Sequence, residues 1–355
     1  MRERSVTVHA FTSFSFSYLD RARVLAATLR RQHPDWTIWA VVTDRAPRDL
    51  PLDWARGEFD RVLMPEDLFG GRSASDEVEA WLFGHDVVEA CTAVKGEALV
   101  RILDEPGCSK VVYLDPDIAV LNPLTPATAM LDDHSIVLTP HQIDPEPRAA
   151  REAIMDNELA SLQHGVYNLG FLAVAADEEG RRFARWWADR LGDWCHDRKD
   201  IGVFVDQRWC DLIPCFFDRV GVLRDPGCNV ASWNLSQREV RFAPDGTALV
   251  NGVPLRFWHF TKLGPVGDAM TARYAADNTE VYEIWSWYRR MVAERAVPAV
   301  PAGYWHYGAF RDGTPIPKSA RELYRVRGDL RSVFPRPFES RFKEWLRVET
   351  DLLAA

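Results

Sequence analysis

The run VVYLDPDIAVLNPL, from Val111 to Leu124, constrains this chain more than any other stretch. Four apolar residues, Val111 to Leu114, bounded by polar ones read as a short, fully buried strand. Such strands belong to parallel sheets covered on both faces, and ligands in open α/β folds sit beyond the carboxyl ends of the strands. Asp115 and Asp117 are therefore delivered to the place where an α/β protein keeps its chemistry. Residues i and i+2 of an extended segment point the same way, about 6.5 Å apart at Cα. Pro116 locks its own φ and keeps Asp115 out of the helical region. Two hard oxygen donors held in this way suit Mg2+ or Mn2+, ions commonly shared with substrate phosphates. The plain alternative is an Asx turn after a strand.

The surrounding pattern supports an α/β sheet. VTVHAFTS (6–13), WTIWAVVTD (36–44) and FDRVLMP (59–65) read as strands, and a helix between the first two carries Tyr18, Ala22, Leu25, Ala26 and Leu29 on one face. A helix over roughly 78–104 precedes the strand that ends at Asp115. HSIVLTPH (134–141) and GVYNLGFLAV (165–174) are further strands, separated by a polar helical excursion. This alternation predicts right-handed crossovers and a mostly parallel sheet. From about residue 266 the pattern turns helical, so the expected organisation is a catalytic domain over 1–265 and a helical C-terminal extension over 266–355.

Three further stretches bear on chemistry. PLRFWHFTKLGP (254–265) places His259 after another apolar strand, followed by Lys262. An imidazole completing two carboxylates makes a borderline site that suits Mn2+ better than Mg2+; the alternative is a satisfied core histidine. On the helix before the aspartates, Val88, Cys91, Lys95, Leu99 and Ile102 form one stripe, four apolar residues and a cation. A lysine there must snorkel or meet an anion. GCNVASWNLSQREV (227–240) offers Asn229, Trp233 and Asn234, which would line an acceptor pocket or build an ordinary Asn-rich turn. His141, at the end of its strand, is a weaker candidate for facing the cleft.

Composition excludes several classes. A net charge of −9 argues against a general nucleic-acid binder. No stretch reaches the apolar length of a membrane span, and the N-terminus has no apolar leader, so a cytoplasmic location is expected. Residues 318–347 hold nine Lys/Arg against four Asp/Glu, either solvated helix faces or a peripheral contact with anionic lipid. The six cysteines lack a Cys-x-x-Cys pair and read as reduced thiols. Fourteen tryptophans are enough for aromatic platforms as well as core packing.

VVYLDPDIAVLNPL, YNLGFLAV, FVDQRW and FWHFT, in that order, resemble the retaining glycosyltransferases of the glycogenin-like class, and more closely a bacterial group of polysaccharide glycosyltransferases on the same nucleotide-sugar-binding α/β (GT-A-type) fold. The resemblance covers roughly residues 5–265. It implies that Asp115, Asp117 and His259 hold Mn2+ or Mg2+, with Asp115 also near the donor ribose. It further implies that Lys95 touches the donor, a nucleotide-diphosphate sugar such as a UDP-sugar, and that Phe11 and Thr12 lie against the nucleotide. Asn168 and Gly170 would line the donor sugar and the acceptor, which is a glycan, a lipid-linked sugar or a small molecule. Asp206 and Gln207 would stand near the anomeric carbon; Asp206 reads otherwise as the N-cap of a helix over 206–212. Lys262 is the candidate for the diphosphate, although it comes three residues after His259 where the family has six. The rivals are a nucleotidyltransferase, which would carry a Gly-rich loop that HAFTSFSFSYLDRA lacks, and a non-catalytic nucleotide- or sugar-binding relative.

Overall fold

The computed structural model of the protein describes residues 7–69 and 75–353. Val6, at the start of the expected first strand, the first residues read for a leader, and the last two residues of the extension lie outside the described residues. Seven strands form the central sheet. In chain order they are β1 (Thr7–Phe14), β2 (Thr37–Val42), β3 (Arg61–Leu63), β4 (Cys108–Leu114), then, after the short outlying β5 (Ile118–Val120), β6 (Ile136–Pro140), β7 (Tyr167–Ala175) and a strand at Val220–Val222. Across the sheet the order is Val220–Val222, β6, β7, β4, β1, β2, β3. Every neighbouring pair is parallel except those made by β7, which runs antiparallel to both β4 and β6. The fold is thus mixed α/β, with a mostly parallel sheet between helices, as the alternating pattern predicts.

The period of two along each strand divides the core. Val8, Ala10 and Phe14 of β1 and Val112 and Leu114 of β4 join the layer under helix Leu19–Gln32. Phe11 of β1 and Val111 and Tyr113 of β4 join the opposite layer, under helices Val87–Leu103 and Glu178–Trp194. Those two helices lie close together, and a Cβ added at Gly96 would stand 2.5 Å from Ala188 Cα. Gly96 therefore sets the approach that buries its neighbour Lys95.

Two expectations are corrected. The helix over 78–104 is two helices, Ser75–Phe83 and Val87–Leu103, because Gly84 and His85 interrupt it. Asp86 then restarts it as an N-cap, accepting from Glu89 N while Glu89 returns the bond to Asp86 N. The stripe on that helix starts later than its spacing suggests: Val88 is exposed, while Lys95, Leu99 and Ile102 are buried.

The helices beyond residue 265 share the core of the sheet domain. Ile284, Trp285 and Tyr288 of helix Thr279–Glu294 pack with Trp258 and Phe260. Tyr324, Phe342 and Leu346 sit in the same cluster as Phe83 and Leu99. The buried Arg321 donates to the carbonyls of Phe83, His85 and Tyr307 at 3.1, 2.9 and 2.7 Å. Arg325 bonds Gly84 O at 2.8 Å and Lys318 pairs with Asp86 at 3.5 Å. Arg327 pairs with Asp329, Arg336 with Asp76 and Lys343 with Asp312. Most cations of 318–347 are therefore engaged within the protein, which leaves little of the clustered free charge that an anionic lipid surface recognises. Among the described residues no helix is long and apolar enough to cross a membrane, and all six cysteines are free thiols.

Phe342 is fully buried, so Phe342→Ala is expected to cost about 3–5 kcal/mol. Urea unfolding monitored by tryptophan fluorescence is expected to show one transition displaced as a whole; two transitions with only one displaced would show that the extension folds apart from the sheet.

Candidate metal centre and donor site

The aspartates leave the carboxyl end of β4 as the sequence predicts, and the short strand β5, directly after them, brings the histidine in. β5 pairs antiparallel with strand Phe257–His259, with His259 opposite Ile118. Phe260 N donates to Asp117 O at 2.8 Å, and His259 N to Val230 O at 2.8 Å. This ladder sets His259 Nε2 3.1 Å from Asp117 Oδ1 and 3.6 Å from Asp115 Oδ2. One ligand atom from each of the three residues lies within 4.8 Å of the others, the one such group of three or more found among the described residues.

A run of polar contacts fixes the imidazole. His259 Nδ1 donates to Asn168 Oδ1 at 3.2 Å. Asn168 Nδ2 faces His141 Nε2 at 3.3 Å, and His141 Nδ1 faces Val166 O at 3.3 Å. Burial lowers the pKa of His141 to about 4, so His141 is neutral, donating from Nδ1 and accepting at Nε2. That polarity makes Asn168 Oδ1 the acceptor for His259 and turns His259 Nε2 towards the carboxylates, the orientation a metal ligand needs. Gly170 makes room for the ring: a Cβ there would meet His259 Cε1 and Nδ1 at 2.6 Å. β7 holds Gly170 in place, since Gly170 O accepts from Asp115 N at 2.9 Å.

Electrostatics agree with this arrangement. Burial would lower the pKa of His259, but Asp117 and Asp115 outweigh it and the pKa is raised. Burial would raise that of Asp117, but His259, with a smaller part from Arg21, brings it below the usual range. A divalent ion would replace the proton between the three groups. Two carboxylate oxygens and one imidazole nitrogen form a donor set that fits Mn2+.

Beside the triad lies a buried cation. Lys95, 2% exposed, stands 2.8 Å from Asp206 Oδ2 and 3.2 Å from Asp115 Oδ1, and donates to Leu169 O at 3.1 Å. Its ammonium lies 4.1 Å from the centre of the Tyr113 ring. Burial works against its charge, but the two carboxylates hold its pKa well above the usual value. Burial raises the pKa of Asp206 despite Lys95. Tyr113 Oη donates to Asp115 Oδ1 at 2.5 Å and contacts Ser13 Oγ at 3.1 Å. Gln207 is held at both ends of its amide: Oε1 accepts from Leu169 N at 3.2 Å, and Nε2 donates to His164 O at 3.0 Å.

The structure therefore brings together Asp115, Asp117, His259, Lys95, Asn168, Gly170, Asp206 and Gln207. Asp206 is not a helix N-cap; the turn at Arg208–Leu212 is 3-10 and the Asp206 carboxylate points to Lys95. Phe11 is buried against Tyr113, with ring centres 4.8 Å apart, which is core packing, and Thr12 Oγ1 is buried without a hydrogen-bond partner. Lys262 is exposed in a left-handed conformation, φ 55°, and forms no ion pair with described residues. Asn234 holds its own turn, accepting from Ala231 N and donating to Asn229 O and His141 O. Trp233 stands edge-on to His259, ring centres 5.2 Å apart. Sequence reasoning missed Tyr113, although its i, i+2 spacing to Asp115 was there to be read. It also missed Ser13, for which no local signal exists.

No protein-family model matches the chain. It is similar to two uncharacterized proteins of Bacillus subtilis (strain 168). YfnF is 28% identical over 177 residues, 50% of this chain and 57% of YfnF, so the chain matches little more than half of that relative. YfnD is 24% identical over 260 residues, 72% of this chain and 78% of YfnD. Among solved structures, the galactosyltransferase LgtC, in complex with donor and acceptor sugar analogues, is 18% identical with a TM-score of 0.47, covering 82% of this chain and 98% of LgtC. Mouse xyloside xylosyltransferase 1 is 15% identical with a TM-score of 0.41, covering 73% and 99%. The glycosyltransferase GlyE of Streptococcus pneumoniae TIGR4 is 14% identical with a TM-score of 0.41, covering 81% and 64%.

Gly170→Ala is expected to push the His259 ring aside and weaken Mn2+ binding about 10- to 100-fold, measured by calorimetric titration, with the circular dichroism spectrum unchanged. Mn2+ and a proton compete for His259 Nε2. Because the folded pKa is raised above 6.5, Mn2+ affinity is expected to fall about tenfold per pH unit as pH drops below that raised value. A pH-independent affinity across pH 5.5–8 would remove His259 from the ligand set.

Proposed function

We propose that the protein is a Mn2+-dependent, retaining glycosyltransferase that moves a sugar from a nucleotide-diphosphate donor, a UDP-sugar first among the candidates, to a hydroxyl of a glycan, lipid-linked or small-molecule acceptor. The observation that supports this most directly is the three-residue ligand set at the carboxyl end of β4, with the buried Lys95–Asp206 pair beside it. Asp115, Asp117 and His259 would hold the ion, which when bound supplies positive charge where negative charge develops on the departing diphosphate.

The chain's own groups have distinct tasks. Lys95 is protonated and fixed from three sides, so it presents a permanent charge next to Asp115 without rearranging during the reaction. Asn168 and Gly170 keep His259 in its ligand orientation. Gln207, held at both ends, braces the backbone on which Asn168 sits, and acts by position. Asp206 is 2% exposed and bound to Lys95, an arrangement suited to electrostatic support of a cationic sugar better than to direct attack. This favours same-face departure and attack over a double displacement through Asp206.

The test is thermal unfolding with UDP, GDP, dTDP and CDP, each with and without Mn2+, on wild type and Asp117→Ala. A nucleotide at about 100 times its Kd adds ~2.7 kcal/mol to the folded state, a rise of several degrees in Tm. One nucleotide is expected to stabilise the wild type only with Mn2+, and to leave Asp117→Ala unmoved. No response to any of the four, or an equal response from the variant, would end the metal-diphosphate reading.

A further inference from the structure

We infer that Tyr113, backed by Ser13, is a positioning residue for the metal: its hydroxyl occupies one oxygen of Asp115 and so reserves the other for the ion. The inference rests on the divalent ion proposed above and adds the residues that decide how Asp115 is offered to it.

The two oxygens of Asp115 have different neighbours. Oδ1 accepts from Tyr113 Oη at 2.5 Å and stands 3.2 Å from Lys95 Nζ. Oδ2 faces His259 Nε2 instead, at 3.6 Å, the nitrogen that also stands 3.1 Å from Asp117 Oδ1. A hydroxyl and an ammonium take up the accepting capacity of Oδ1, so Oδ2 is the oxygen left for an ion.

The direction of the Tyr113 hydroxyl is set from behind. A tyrosine has one proton to give, and an ionised carboxylate can only accept, so that proton goes to Asp115. Ser13 must then donate to Tyr113 Oη across their 3.1 Å contact. Ser13 and Tyr113 are 2% and 1% exposed, which leaves solvent little access to either hydroxyl. Both stand towards the carboxyl ends of neighbouring parallel strands, β1 and β4, where Phe11 is paired with Tyr113. Sheet register therefore fixes the relay. The ring is held as firmly, with Phe11 at 4.8 Å between centres and the Lys95 ammonium 4.1 Å from its own centre.

This arrangement divides Asp115 between two cations. Beside a buried ammonium, a carboxylate without the hydroxyl is free to turn both oxygens to the lysine, and Oδ2 would then leave the metal centre. The short hydrogen bond from Tyr113 to an ionised acceptor opposes that rotation. It also bars Oδ1 from the ion, so Asp115 contributes a single oxygen. That suits a small ion such as Mn2+ better than Ca2+, which takes six to eight oxygens and readily uses both from one carboxylate.

The test measures Mn2+ affinity by calorimetric titration, and Ca2+ affinity by displacement of Mn2+, on wild type, Tyr113→Phe, Ser13→Ala and the double variant. Tyr113→Phe keeps the ring over Lys95 and removes only the hydroxyl. It is expected to lose Mn2+ affinity about 10- to 100-fold, the usual effect of losing a partner of a ligating group, and to hold Ca2+ affinity within about threefold. Ser13→Ala is expected to lose a smaller part of the Mn2+ affinity, and the double variant to match Tyr113→Phe, because Ser13 acts only through the hydroxyl. Unchanged Mn2+ affinity in Tyr113→Phe overturns the inference. An equal loss of Mn2+ and Ca2+ also overturns it, as general damage to the site, and so does a double variant in which the two losses add. Should Tyr113→Phe fail to fold, Ser13→Ala decides, and Mn2+ affinity equal to wild type overturns the inference. A wild type that takes up no Mn2+ sinks the metal reading itself, an outcome distinct from all of these.

Discussion

The two-stranded ladder between Ile118–Val120 and Phe257–His259 is the contact on which the site depends. Asp115 and Asp117 have a rigid mount of their own at the end of a buried strand, but two carboxylates alone repel one another and bind an ion loosely. The ladder adds the third group by backbone hydrogen bonds, which are directional and fix register to a single residue. With His259 opposite Ile118, the imidazole faces the carboxylate that immediately precedes the strand. A shift of one residue would turn His259 to the other face and replace it with Trp258 or Phe260.

Around that contact the protein settles each charge with a specific partner. Lys95 and Asp206 are both almost completely buried, a condition tolerated because their opposite charges stand 2.8 Å apart and Asp115 shares the same ammonium. The close packing of helices Val87–Leu103 and Glu178–Trp194 makes the burial of Lys95 unavoidable, so packing and electrostatics are one constraint here. Removing a single member would strand a buried charge, and for that reason the network is rigid and its charge pattern preorganised.

The neutral His141 shows how polarity is passed to the metal site. A carbonyl, a histidine, an amide and a second histidine stand in line, and the direction of each hydrogen bond is set by the one before it. Gly170 completes this by having no side chain where the ring must lie. The C-terminal helices support the same region from behind: Tyr288 stacks on Phe260 directly after His259, and Arg321 and Arg325 clasp the turn before the helix that carries Lys95.

The amino-acid sequence by itself determined the alternation of strands and helices, the mounting of Asp115 and Asp117, and the identity of His259 as an imidazole at the end of an apolar strand. These come from local patterns: runs of apolar residues, a period of two or of 3.6, and proline geometry. The break at Gly84–Asp86 was visible as a capping box, yet the apolar periodicity across it masked the stop. Only the tertiary structure decided that Lys95 meets Asp206, that His141 orients His259 through Asn168, and that Tyr113 donates to Asp115. Nearly all of those pairings join residues far apart in the chain, and their distances are set by strand register and helix packing, quantities that no short stretch of sequence contains.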